Sequence, residues 1–181
     1  MILSNSRYEE IKETVVDLFE GLDIHCTPIS GFEIATKMGI KVIPYSAYPK
    51  ITKELMIKRS DDGFSVKKKT GEWYIFYNDS KPYGRINNTI MHENGHIALD
   101  HTEDSELAEA EAKFFAKFAL APPALIHNLN LKTAYEIAER FEISHEAAEY
   151  ALIFYNKWLR YGGRFYTGYE IKLCHLFGIA I

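Results

Sequence analysis

The sequence predicts an α+β fold, in which a small antiparallel sheet backs two helices and a helical region follows. Three features of the 181 residues point to it. Apolar residues recur at helical spacing near the N-terminus and again from about Arg85 onward. Short β-like segments separated by turn signals fill the stretch between residues 40 and 77. Beyond Pro122-Pro123 the pattern is again mostly helical.

Taken in order, Arg7 to Glu20 carries Tyr8, Ile11, Val15, Leu18 and Phe19 at helical spacing, with Gly21 as a stop. Ser30 is placed to cap a short helix through Met38, ended by Gly39. The β-like segments are Ile40 to Pro44, Leu55 to Lys58, Phe64 to Val66 and Trp73 to Tyr77. Asp61-Asp62-Gly63 and Thr70-Gly71 are the turns between them. After a loop from Asn78 to Gly84, a helix is expected from Arg85 to Asp100. A break at Thr102 to Asp104 precedes a long helix that starts at Ser105 and ends before Pro122. Thr133 to Leu159 reads as two helices split at Glu142-Ile143-Ser144, in the manner of a helix-turn-helix, with an interruption at Gly162-Gly163. The expected organisation is one domain over residues 1–123, with residues 124–181 as a helical region packed on it.

Hydrophobic residues make up 47% of the chain and charged residues 25%, with twelve Tyr and eleven Phe, enough to build a core without disulfides. The two cysteines, Cys26 and Cys174, lie far apart and read as unpaired thiols in a reducing compartment. The net charge of -4 lacks the basic surplus that phosphate neutralisation demands of a nucleic-acid binder. No apolar run approaches the roughly 18 residues of a membrane span, and the start MILSNSRYEE does not read as a signal peptide. The expectation is a cytoplasmic protein without membrane contact.

The chemistry concentrates in His92-Glu93-Asn94-Gly95-His96, an H-E-x-x-H pattern. On a helix, positions i and i+4 share a face, so both imidazoles can point at one metal ion, for which zinc is expected. Glu93 is rotated away from that line and can serve as the general base toward an attacking water. The apolar neighbours Ile90, Met91, Ile97 and Leu99 imply a largely buried helix, where two histidines need polar partners. Gly95 in a helix interior implies close packing.

The next helix offers a third metal donor. Glu111 falls in the middle of an apolar stripe formed by Leu107, Phe114, Phe115 and Phe118, and a buried carboxylate needs a partner such as a metal. Glu109 and Glu106 fall off that stripe and read as solvated charges, each an alternative donor. A salt bridge is the alternative partner for Glu111.

HENGHIALDH followed by EAEAKFFAKFALAP resembles the ImmA/IrrE family of metallopeptidases, which pairs a HELGHxxLH-like segment with an EAxxFAxxLLxP-like one. Glu111-Ala112, Phe115-Ala116 and Pro122 fill the second motif. Lys113, Ala119 and Ala121 depart from it, and Asn94 departs from the first motif, without touching a proposed ligand. The resemblance implies a zinc-dependent endopeptidase that cleaves a transcriptional repressor of the Xre helix-turn-helix type.

His101 and Asp100, at the end of that first motif, are candidates to orient a ligand imidazole. Arg85 is a candidate for substrate or structural contact. Tyr83, His127, Tyr166 and His175 could stabilise a transition state only by residue type. The second helix of the helix-turn-helix-like pair begins His145-Glu146-Ala147-Ala148-Glu149, acidic where phosphate would approach, so direct DNA binding is not expected. The rival readings are a non-catalytic regulator that keeps the fold and a DNA-binding module. Retention of Glu93, which metal binding alone does not need, weighs against the first.

Overall fold

The hydroxyls of Ser4 and Ser30 accept the first free amides of two helices, α1 (Asn5–Gly21) and α2 (Gly31–Lys37). The computed structural model describes residues 3–103, 105–162 and 165–181. Strand β1 (Lys41–Pro44) follows, then a 3₁₀ turn (Tyr45–Ala47), α3 (Lys50–Arg59), β2 (Gly63–Lys67) and β3 (Trp73–Tyr77). The rest is helical: α4 (Tyr83–Ala98), α5 (Glu106–Leu120), α6 (Pro123–Asn128), α7 (Ala134–Phe141), α8 (His145–Tyr161) and α9 (Gly168–Leu176). Asp104 and Gly163, where two breaks were expected, lie outside the described residues.

The α+β class stands, with two corrections. The sheet is mixed rather than antiparallel, in the order β1-β3-β2. The tight β2–β3 connection makes that pair antiparallel. The excursion through α3 is long enough to bring the chain back parallel, so β3 runs alongside β1 with Val42 opposite Ile75. The second correction concerns Leu55 to Lys58, which is the C-terminal half of α3 and not a strand. Short apolar runs do not distinguish strand from helix by periodicity. Here Lys, Glu, Leu and Met favour helix, and only Met56 of the helix is buried.

The principal core joins the N-terminal helix to the C-terminal ones. Ile11, Val15, Val16 and Phe19 of α1 pack with Phe115 and Ala119 of α5, and the same cluster runs on through Phe141 of α7 to Leu173 of α9. A smaller cluster of Ala35, Ile40, Ile75 and Ile90 lies between the sheet, α2 and α4. Among the described residues no helix is long and apolar enough to cross a membrane.

Two side chains of α4 fasten α2 to it. Asn87 accepts from the Gly31 amide at 2.6 Å and donates to the Ile29 carbonyl, while Asn94 donates to the Gly31 carbonyl. On the other side of α4, Gly95 lets α5 approach. A Cβ at that position would lie 2.9 Å from Cδ1 of the buried Phe115 ring. That close approach sets the spacing of the two helices carrying the site.

Candidate metal centre

One turn of α4 separates His92 from His96, so their rings converge as the motif predicts. The two Nε2 atoms are 3.0 Å apart and the rings meet edge to face. From the first turn of α5, Glu109 completes the group: its Oε1 lies 3.2 Å from His96 Nε2 and its Oε2 3.6 Å from His92 Nε2. Among the described residues, His92, His96 and Glu109 are the group of such side chains whose donor atoms all lie within 4.8 Å of one another.

The structure thus brings Glu109, and not the expected Glu111, within reach of the histidine pair. Glu111 is buried, as its position in the apolar stripe required. Its partner, however, is not the histidine pair. Arg7 of α1 grips the carboxylate with both arms of its guanidinium: Nε donates to Oε1 at 2.8 Å and Nη2 to Oε2 at 2.7 Å. His101 Nε2 lies 2.9 Å from Glu111 Oε2. Two residues along a helix is about 200° of rotation, so Glu109 and Glu111 cannot serve the same side. Arg7 was not singled out as a site residue by pattern, and Glu109 only as an alternative donor. Arg7 carries no sequence signal, whereas Glu109 stands two positions before the Glu111 that the motif highlighted.

His101 lies against His96, its Nδ1 2.9 Å from His96 Nδ1. Asp100 acts differently. Its side chain is exposed, and its backbone is left-handed, at φ 52°. That conformation ends the helix and turns the chain back, so that the His101 amide donates to the His96 carbonyl at 3.0 Å.

The electrostatics suit a cation. Burial, reinforced by the neighbouring His96, pushes His92 down to about 4, so its imidazole is neutral near pH 7 with a lone pair available. Arg7 holds the Glu111 carboxyl below the usual carboxylate range, with burial opposing and His101 assisting. Two imidazole nitrogens and one carboxylate, on two helices held rigidly together, form a donor set suited to zinc.

Glu93 follows His92 on α4 and is buried, 8% exposed. Its charge reaches Tyr45, whose hydroxyl is pushed up to about 12, chiefly by burial and next by Glu93. Tyr45 is itself committed to the Ser60 carbonyl at 3.1 Å. Arg85 pairs with Asp62 in two hydrogen bonds, tying α4 to the turn before β2. His127 bonds Tyr155, and Tyr166 accepts from Asn128, both within the C-terminal region. His175 is exposed on α9, and Tyr83 is exposed at the start of α4.

A groove of about 790 Å³ opens beside Glu109 along the outer face of α5. Tyr8 and Phe114, packed edge to face, contribute its aromatic surface, and Glu106, Lys113 and Lys117 its charged one. Its size matches clefts that hold ligands of roughly 300–1,000 Å³.

A family model, Peptidase_M78, described as the IrrE N-terminal-like domain, matches residues 35–152. That span holds α4, α5 and the whole His92, His96 and Glu109 group, but not α1. No curated protein matches the chain.

Proposed function

This chain belongs to the IrrE N-terminal-like Peptidase_M78 family of metallopeptidases, and on that premise we propose that it is a zinc-dependent endopeptidase making one specific cut in a transcriptional repressor of the Xre helix-turn-helix type. The observation that carries the reading is the convergence of His92, His96 and Glu109 with Glu93 one residue from the first ligand.

His92 and His96 would hold the metal through Nε2, and Glu109 through its carboxylate. A divalent metal there supplies Lewis acidity, which acidifies water and polarises a carbonyl. Glu93 is the base: its carboxylate takes the proton of the attacking water and then passes it to the leaving amine. Its burial keeps that carboxylate away from bulk solvent and strengthens its interaction with the proton it carries. The groove beside Glu109 is wide enough to seat substrate side chains next to the cut.

The specific cut rests on the family and on the surface beyond the site. A protease working among other folded proteins must spare them, and remote docking can position one bond for attack. The C-terminal helices offer such a surface: Tyr150, Ile153 and Tyr161 of α8 are more than half exposed. The first turn of α8 carries Glu146, which supports protein docking over DNA.

The test combines metal analysis with cleavage. The purified chain is expected to carry about one zinc, and to cut a helix-turn-helix repressor encoded beside its gene once, with Glu93→Gln inactive. Ready digestion of unrelated unfolded chains with the repressor left intact would favour a general peptidase.

A further inference from the structure

A chain of hydrogen bonds runs from the metal centre to the N-terminal helix. His96 presents Nε2 to His92 and Glu109, and its Nδ1 lies 2.9 Å from His101 Nδ1. His101 Nε2 lies 2.9 Å from Glu111 Oε2, and Arg7 closes the chain with two bonds to the same carboxylate. Arg7 belongs to α1, outside the residues 35–152 that the family model covers.

Proton placement along this chain is determined. A nitrogen that binds a metal offers its lone pair, so His96 must carry its proton on Nδ1. His101 Nδ1 must then accept, which leaves the His101 proton on Nε2, aimed at Glu111. The carboxylate accepts that proton's hydrogen bond and both arms of Arg7, which has only donors. Every atom in the series thus has one role.

We infer that Arg7, Glu111 and His101 are positioning residues that fix the ring orientation and tautomer of His96, so that a helix outside the family domain tunes metal affinity. The inference rests on the His92, His96 and Glu109 metal site. Arg7 matters as a fork as well as a charge: lysine cannot grip both carboxylate oxygens in parallel. Glu111 matters as an ionised acceptor, since a neutral amide offers one oxygen in place of two.

The test is zinc affinity by chelator competition on the full chain, with circular dichroism and melting of the metal-free proteins in parallel. Glu111→Gln and Arg7→Met are each expected to weaken zinc about 10–100-fold, the range for partners of ligating histidines. Arg7→Lys is expected to fall between Arg7→Met and wild type. The Arg7→Met/Glu111→Gln pair is expected to lose no more than Glu111→Gln alone, because both act through one bond. The cobalt-substituted absorption bands are expected to shift in Glu111→Gln, which a purely structural role would leave in place. Arg7 is one-third exposed, so its variants carry the test if Glu111→Gln fails to fold. Wild-type affinity in both Arg7→Met and Glu111→Gln, while His92→Ala and Glu109→Ala lose zinc, overturns the inference alone. A wild-type protein that binds no zinc overturns the metal site and the inference with it.

Discussion

Glu109 and Glu111, two residues apart on α5, face different partners: Glu109 reaches His96 Nε2 at 3.2 Å, whereas Glu111 is held by Arg7 and His101. One helix thus carries the carboxylate that meets the histidine pair and, on its other side, the carboxylate that Arg7 and His101 hold. The two glutamates are expected to differ in kind when removed. Glu109→Ala deletes a donor, and zinc is expected to be lost on gel filtration. Glu111→Ala is expected to keep one zinc per chain with weaker affinity, and to lose stability because Arg7 is left without its main partner. Metal analysis after filtration separates them, and equal zinc retention in both would reject this division of roles.

Glu93→Gln tests the base. The substitution keeps size and removes the proton acceptor, so zinc content and melting temperature are expected to stay near wild type. Cleavage is expected to fall by about 10²–10⁴-fold, the contribution typical of general-base help. Full activity in the variant would assign the proton to another group.

Gly95→Ala probes the spacing of the ligand helices. Alanine is favoured over glycine in a helix by about 1 kcal/mol. Here, though, the added Cβ would sit 2.9 Å from the Phe115 ring and 3.2 Å from Phe115 Cβ. Overpacking of a core typically costs about 1–3 kcal/mol, so a net destabilisation with weaker zinc binding is expected. Denaturant melts and chelator competition measure the two. A variant more stable than wild type would show that α5 can move away freely.

The metal-free protein is expected to weaken as pH falls from about 6.5 to about 4. Unfolded, His92 takes a proton near its ordinary 6.5; folded, burial and His96 delay this to about 4. Between those values the unfolded chain holds more protons, so acid favours unfolding, and the contribution is fully present above 6.5. His92→Gln cannot titrate and is expected to show a shallower loss. Urea midpoints at pH 7.5 and 4.5 for both proteins provide the measure, and parallel losses would place the sensitivity elsewhere.

What the sequence conveyed and what it hid follow from locality. His92 and His96 share a face through four-residue spacing, and Ser30 and Ser105 act within three residues, so these features could be read directly. Burial of Glu111 was equally legible from its apolar neighbours. Its partner was not, because Arg7 is 104 residues away and reaches it only through the packing of α1 on α5. The parallel pairing of β1 with β3 is likewise a product of tertiary packing, since strand patterning carries no direction. Leu55 to Lys58 failed for another reason: on a mostly exposed helix the apolar residues follow no face.

The packing of α1 also bears on how this architecture divides. Its side chains Ile11, Val15, Val16 and Phe19 are wholly buried, and burying each such side chain is worth about 1.5–3 kcal/mol. Together they contribute on the order of the whole net stability of a typical domain, about 5–15 kcal/mol. The family segment in this protein is therefore not a transplantable cassette. Excised at residue 35, it would present an open apolar trench along α5, and recombination that exchanged the peptidase segment between relatives would have to carry a matching N-terminal helix with it.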